Sequence, residues 1–398
     1  MTMKNNIPVG YKDSAVGIIP QEWKVDRLGE ICLTFKSGTT ITSQSIKESG
    51  LYPVYGGNGL RGYTDSYTHN GDYILIGRQG ALCGNINFIR GKAYISEHAI
   101  AVQPNESNSI EFLRYKLDFW NLNRFSESSA QPGLSVEKLV RYKLAVPPMG
   151  EQRKIAEILG VWDEAIEKQS RLIEKLELRK RALMQRLLTG RTRLPGFTTP
   201  WQKVKLGEIG KFDKGVGVPK EKIVSEGCKA ITYGEIYTKY DYVIKDFASY
   251  IDSDTAQTSK QISSGVILFA GSGETLEDIG KCVVFIDNDT AYAGGDIIIF
   301  KPSIEVDSLV LSYILNSPVA IAQKRRYGQG HSVVHIYQKD LARIEFELPS
   351  LPEQKVIAEV LTTADEEIAT HRKKLDALRQ QKRGLMQQLL TGKTRVKI

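Results

Sequence analysis

The sequence predicts an α+β fold of two pseudo-symmetric α/β globular domains separated by two long antiparallel coiled-coil helices. Three observations lead there. Residues Pro147 to Arg193 recur at Pro349 to Arg395 with a constant offset of 202, no gap and 22 identities in 47 positions. Both copies carry apolar residues at steps of three and four, the spacing of one helical face. The stretches before each copy instead hold short apolar runs between Gly, Asn and Asp clusters, the pattern of strands and turns. The 398 residues thus divide into globular regions at 1–149 and 194–350 and helical repeats at 150–193 and 351–398.

The globular regions repeat too, more faintly. Trp23 and Leu28-Gly29-Glu30-Ile31 match Trp201 and Leu206-Gly207-Glu208-Ile209 at an offset of 178. Tyr73-Ile74-Leu75-Ile76-Gly77 resembles Val266-Ile267-Leu268-Phe269-Ala270, and Ala93-Tyr94 resembles Ala291-Tyr292. The offset then grows from 178 to 202, so the second copy holds 24 extra residues. A shared scaffold with diverged loops is expected when two copies do one kind of job on different targets. Expected strands are Tyr73–Ile76, Ile86–Ile89, Ile100–Val102, Val266–Phe269, Cys282–Ile286 and Ile297–Phe300, with helical patches at Ile110–Trp120 and Leu309–Ile314.

In the first repeat the apolar stripe runs through Ile155, Ile158 or Leu159, Trp162, Ile166, Leu172 or Ile173, Leu176, Leu183 and Leu187. In the second it runs through Ile357, Val360 or Leu361, Ala364, Ile368, Leu375, Leu378, Leu385 and Leu389. The stripes are interrupted at Gln169 and Arg179 in the first and at His371 and Gln381 in the second. Gly190 and Gly392 each follow Leu-Leu-Thr and are placed as C-terminal caps. Each helix is expected from about Glu151 or Glu353 for some 38 residues, roughly 57 Å at about 1.5 Å per residue. A helix that buries one stripe needs a partner, and the other repeat is the nearest one. Because a whole globular region folds between them, the pair must run antiparallel. Homodimerisation through the same stripes is the alternative.

Charge narrows the class. The chain is +8 with a pI of about 9.0. The helical repeats supply that charge: residues 151–193 hold 11 Lys and Arg against 7 acids, and residues 353–398 hold 10 against 6. Residues 1–150 hold 16 against 13 and residues 194–352 hold 17 against 20, so the globular regions cancel. This balance suits nucleic acid but not a simple phosphate-coating protein. Basic residues in the last helical turns also suit the negative helix C-terminus without any ligand. No apolar run approaches the roughly 18 residues of a membrane span, and the N-terminus lacks the apolar core of a signal peptide. Cys32, Cys83, Cys228 and Cys282 are scattered, with no paired spacing for zinc or disulfides. We expect a cytoplasmic protein with reduced thiols and no membrane contact.

Catalytic motifs are missing. Gly57-Asn58-Gly59-Leu60-Arg61-Gly62 fits the dinucleotide fingerprint by letter, but strand and turn signals follow it where a helix is needed. Gly392-Lys393-Thr394 resembles the end of a phosphate loop, yet Gln387 stands where its first glycine belongs. The five histidines show no metal-ligand spacing, so neither a metal nor a catalytic residue is expected. The loops instead hold polar and aromatic side chains suited to base edges, where Arg fits guanine and Asn or Gln fits adenine. In the first region these are Asn58, Arg61, Tyr63, Arg78, Gln79, Asn85, His98 and Gln131. In the second they are Tyr233, Tyr237, Lys239, Ser272, Lys324, Arg325, Arg326, Tyr327, Gln329, His331 and Ser332. The run Lys324-Arg325-Arg326 is the densest basic cluster and the leading phosphate candidate.

These residues resemble the specificity subunit of a type I restriction–modification system over essentially the whole chain. The resemblance rests on Pro147, Glu151-Gln152, Ile155-Ala156 and Leu188-Thr189-Gly190, and on Pro349, Glu353-Gln354, Ile357-Ala358 and Leu390-Thr391-Gly392. Each block follows a closing segment, Leu134, Leu139 and Leu144 or Ile336, Leu341 and Ile344. The opening Gly17-Ile18-Ile19-Pro20-Gln21-Glu22-Trp23 and the block Gly77-Arg78-Gln79-Gly80-Ala81 are similar to that family as well. The resemblance implies a non-catalytic subunit whose two target recognition domains each bind half of a bipartite, asymmetric sequence in double-stranded DNA. It implies helices that act as a ruler for the gap between the halves. Two methylation subunits would carry S-adenosylmethionine and modify adenine, and two restriction subunits, with ATP and Mg, could join for host defence. The chain itself would hold no cofactor. Half-sites on one face of DNA lie about 34–36 Å apart, within reach of such helices. Four residues inserted after Leu188 would be expected to lengthen the gap by about two base pairs.

Overall fold

The computed structural model describes residues 7–126, 132–330 and 333–397. The chain divides into two compact units, Met1–Ser170 with Lys373–Ile398, and Arg171–Arg372. The division falls inside both long helices, Met149–Leu187 and Leu351–Leu390, rather than at their ends.

In the first unit, the antiparallel strands Cys32–Ser37, Ala99–Pro104, Tyr73–Gly77 and Ile86–Ile89 form one sheet in that order. A second sheet runs Gly59–Thr64, Tyr52–Gly56, Lys92–Ile95, His69–Asn70, with its central pair parallel. Ile74 and Ile76 face a cluster with Leu113 and Leu117 of the helix Ile110–Trp120. Leu75, between them, faces Ala93 and Ile95 of the second sheet. Burial on both faces is why this central strand reads as an unbroken apolar run. Ser109 caps the helix by accepting from the Phe112 amide at 3.3 Å. A third, two-stranded sheet pairs Lys24–Arg27 with Lys143–Val146.

The second unit repeats this plan. Its main sheet is Gly210–Lys214, Ile297–Pro302, Val266–Ala270, Cys282–Phe285, Val243–Ile244. Its second sheet is Ile223–Val224, Ser249–Ile251, Cys228–Ile231, Ala291–Ala293, Lys260–Ile262, again with a parallel central pair. Gln202–Lys205 pairs with Glu345–Leu348 as Lys24–Arg27 does with Lys143–Val146. Ile267, Phe269 and Phe300 pack toward the helix Ser308–Leu315, while Leu268 and Ile299 pack toward the second sheet. The helices Tyr233–Thr238 and Pro318–Tyr327 were not foreseen from the sequence.

Within each unit the segments of the two long helices run antiparallel. In the first unit Glu151 binds Arg395 and Asp163 binds Lys382 at 2.5 Å, while Ile155 and Leu159 pack with Met386 and Leu389. In the second, Lys180 bonds Asp365, Glu177 bonds Arg372 at 2.6 Å, and Leu187 packs with Ile357 and Leu361. Gly190 and Gly392 end the helical segments at φ +67° and +74°, the left-handed conformation that lets a chain leave a helix.

The repeated Glu-Gln pair has a structural explanation. Glu151 is fully buried and accepts from Trp23 Nε1 at 3.0 Å and from Arg395 Nε at 2.7 Å. Glu353 accepts from Trp201 Nε1 at 2.9 Å and from Arg193 Nε at 2.7 Å. Gln152 accepts from the Ser109 amide at 2.8 Å and donates to Pro147 O; Gln354 repeats this with Asp307 and Pro349. A buried carboxylate survives in such a place only because its lone pairs are satisfied.

Candidate nucleic-acid interface

In the first unit, the hairpin Tyr52–Gly56 and Gly59–Thr64 turns through Gly57-Asn58. A Cβ at Gly57 would lie 2.8 Å from His98 O and 3.0 Å from Gly77 Cα, so only glycine lets the tip reach that loop. Here is the physical reason for the start of the Gly-rich run: close backbone approach, with a strand following and no helix. The Arg78 amide donates to His98 O at 2.9 Å, and Arg78 O accepts from Leu134 N at 2.9 Å. Gly77 N donates to Asn85 O at 2.8 Å, closing a tight loop over residues 77–85.

These bonds gather Asn58, Arg78, Gln79, Asn85 and His98 at one place, and Arg61 reaches it because its stem crosses Gly56. Among the described residues, no side-chain hydrogen bond or ion pair holds Asn58, Arg61, Arg78, Gln79 or Asn85. Unspent donors on a rigid frame can serve a ligand. The His98 ring lies 3.3 Å from Glu97. Tyr63 sits elsewhere, at the far end of the hairpin, with both backbone groups bonded to Lys47 at 2.8 Å. Gln131 lies outside the described residues, as do His331 and Ser332.

The second unit has the same frame with other side chains. Gly271 N donates to Asp296 O at 2.7 Å, and Gly271 O accepts from Ile336 N at 2.9 Å, as Arg78 does with His98 and Leu134. Gln79 bridges Gly133, and Ser272 pairs with His335. The position of Arg78 is therefore Gly271, Gln79 is Ser272, His98 is Asp296 and Gly133 is His335. Ser272 is buried, and its hydroxyl shares a hydrogen bond with His335 Nδ1 at 2.9 Å. Gln329 is exposed and exchanges both backbone bonds with His335. Tyr233 is exposed at the start of its helix.

Several candidates of this unit are placed otherwise than expected. Lys324 is buried, and its ammonium donates to Gly280 O at 2.7 Å, so it is no phosphate contact. Burial lowers its pKa. Arg325 is exposed but bonded to Glu277 at 2.8 Å. Arg326 lines a hollow with Gln323, Arg343 and Glu345. Successive residues on a helix turn by about 100°, so three adjacent cations on Pro318–Tyr327 cannot share one surface. Tyr327 packs against the core, and Tyr237 packs against the cluster of Ile236 and Tyr240. Lys239 lines a separate hollow with Asp241, Tyr242 and Arg372.

His335, Asp296, Lys214 and Lys339 were missed. Together with Ser272 and Tyr337 they line a cleft of about 300 Å³. The signal existed for His335: it precedes Ile336, the counterpart of Leu134 at the repeat offset of 202. Asp296 carried none, because an acid is not an expected residue beside nucleic acid. Among the described residues, no group of His, Cys, Asp and Glu is arranged for a metal, and no helix is long and apolar enough to cross a membrane.

Comparison with known proteins places this architecture. The family model described as "Type I restriction modification DNA specificity domain" matches residues 20–178 and again 198–380. The type I restriction enzyme EcoprrI specificity subunit of Escherichia coli is 43% identical over 159 residues, which is 38% of this chain and 39% of that one. That match spans under half of the relative. The MjaVIII specificity subunit of Methanocaldococcus jannaschii is 25% identical over 405 residues, covering 95% of this chain and 94% of its own. Among solved structures, the S subunit of a type I restriction–modification system from M. genitalium matches with a TM-score of 0.62 at 16% identity, covering 98% of both chains. A chain from a type I system studied for complex assembly and conformational transition matches at 0.58 and 18% identity, covering 94% of this chain and 99% of that one. At such identities the structures show a shared fold.

Proposed function

The chain belongs to the type I restriction–modification DNA specificity family, and on that premise we propose that it is the non-catalytic subunit that reads a bipartite, asymmetric target in double-stranded DNA. Each unit supplies one target recognition domain and reads one half. The paired helices set the gap between the halves. Two methylation subunits, which bring S-adenosylmethionine, dock on this chain and modify adenine. Two restriction subunits bring ATP and Mg for cleavage. The chain holds no cofactor and acts in the cytoplasm.

One observation carries this reading: the two units hold the same loop frame, bond for bond, and present different side chains on it. Arg78, Gln79 and His98 in one stand where Gly271, Ser272 and Asp296 stand in the other. A constant frame with exchanged side chains is what two readers of two sequences require, since base edges are told apart by donor and acceptor pattern.

The test begins with co-expression of the chain and its methylation partner, followed by mapping of methylated adenines in host DNA. Exchange of residues 194–346 for the matching region of a relative should change one half-site and leave the other intact. A swap that altered both halves would count against two independent readers. Methyl transfer from labelled S-adenosylmethionine by the isolated chain would show an enzyme instead.

A further inference from the structure

We infer that Asp296 is a base-reading residue of the second unit, accepting a hydrogen bond from the exocyclic amino group of a cytosine or adenine. The inference rests on the DNA-reading role proposed above and names the chemistry of one site within it.

Position comes first. Asp296 immediately precedes the strand Ile297–Pro302, whose first residue pairs with Ala270. His98 immediately precedes Ala99–Pro104, whose first residue pairs with Gly77. The carbonyl of each accepts from an amide of the next loop, that of Asp296 from Gly271 N at 2.7 Å and that of His98 from Arg78 N at 2.9 Å. Asp296 thus holds the place that the first unit gives to a histidine beside Arg78.

Conformation is the second observation. Asp296 has φ +59°, inside the left-handed region, one of three non-glycine residues in the described chain with positive φ. Aspartate tolerates this region better than most side chains, yet glycine would adopt it with less strain. A non-glycine held there on an open loop points to a side chain with a use.

Surroundings are the third. Asp296 is exposed, and among the described residues its carboxylate has no hydrogen bond and no ion pair. It lines the cleft of about 300 Å³ with Lys214, Ser272, His335, Tyr337 and Lys339. Lys214 and Lys339 are exposed cations on the same cleft, able to hold a polyanion close.

Chemistry then selects the ligand. A carboxylate only accepts hydrogen bonds, and phosphate oxygens repel it. Guanine O6 and N7 and thymine O4 are acceptors as well, so they offer it nothing. Cytosine N4 and adenine N6 are the major-groove donors that remain. In the first unit, Arg78 presents donors at the neighbouring position and suits guanine, so the two half-sites differ in kind at the bases nearest these frames.

The chain is tested in its complex with the methylation subunits. Methylated adenines are mapped in host DNA for the native chain, Asp296→Gly and Asp296→Asn. Asp296→Gly removes the carboxylate and relieves the backbone, so its melting temperature should not fall. Discrimination at one cytosine or adenine of the second half-site should drop at least about tenfold, with the first half-site unchanged. Binding to non-specific DNA should hold or rise, because a negative charge has gone. Asp296→Asn, which adds a donor, should shift that position toward adenine; the mapped base shows which amino group is read. Full discrimination in both variants overturns the assignment of Asp296 and leaves the DNA-reading function standing. If the native complex methylates without sequence preference, the function itself falls and this inference with it.

Discussion

At the scale of single residues, the loop that carries Arg78 and Gln79 gives the plainest expectation. Arg78 and Gln79 sit on a frame of backbone bonds and have no side-chain partner among the described residues. Arg78→Ala and Gln79→Ala should each cost about 1–3 kcal/mol of discrimination at one or two positions of a single half-site. Uniform weakening across all sequences, seen in binding to permuted sites, would instead make them phosphate contacts. Lys116 gives a pH dependence. Its ammonium is buried and donates to Leu390 O at 2.5 Å, and burial lowers its pKa to about 8. Between about pH 8 and 10.5 the unfolded chain holds this proton while the folded chain has lost it, so stability rises with pH by about 3 kcal/mol. Near pH 10 the opposite slope begins, since Tyr115, Tyr242 and Tyr313 are held protonated by burial and ionise on unfolding. Urea titrations of the chain and of Lys116→Met between pH 7 and 10 isolate the lysine: the rise should vanish in the variant.

At the scale of elements, the ends of the long helices are held by matched polar clusters rather than by apolar contact alone. Glu151 joins Trp23 to Arg395, and Glu353 joins Trp201 to Arg193. Glu151→Ala leaves the Trp23 indole N–H without its acceptor and the Arg395 guanidinium with Glu22 as its remaining carboxylate, and should destabilise the first unit by about 2–3 kcal/mol. Denaturant unfolding measures this, and a double-mutant cycle with Arg395→Ala should show strong coupling. A loss below about 0.5 kcal/mol would mean that water replaces the carboxylate at no cost. The helices themselves were legible because apolar spacing is a one-dimensional signal that needs no knowledge of partners. Main-sheet strands were legible for a related reason: burial on both faces leaves continuous apolar runs such as Val266–Ala270. The helix Pro318–Tyr327 was not legible, since its basic last turn reads as a surface loop until Lys324 is seen to point inward.

At the scale of the whole molecule, the division of the chain changes one experiment. The insertion point after Leu188 lies within the second unit's core, where Leu187 and Leu188 pack with Phe346 and Leu348. Extra residues there would disrupt packing before they altered any spacing. The units divide at Ser170 and Arg171 and again at Arg372 and Lys373. Four helical residues added at both places lengthen each helix by about 6 Å. If the paired helices set the gap, methylation should move to targets with a gap about two base pairs longer and unchanged half-sites. An unchanged gap would mean that something else fixes the spacing.

The repeat, the two helices, the doubled globular plan and the family were determined by the sequence alone, because each is written in local spacing or in residues matched at a constant offset. Which loop residues meet was decided only by tertiary structure. Gly57 touches Gly77 and His98 across 20 and 41 positions of chain, and no periodicity encodes that contact. Lys324 looked like the best phosphate ligand from its neighbours in sequence and proved to be a buried donor to Gly280. Asp296 was not among the residues singled out from the sequence and stands in the place of His98. A side chain's chemistry can be read from the sequence, but its direction is set by the sheet, the helix turn and the packing around it.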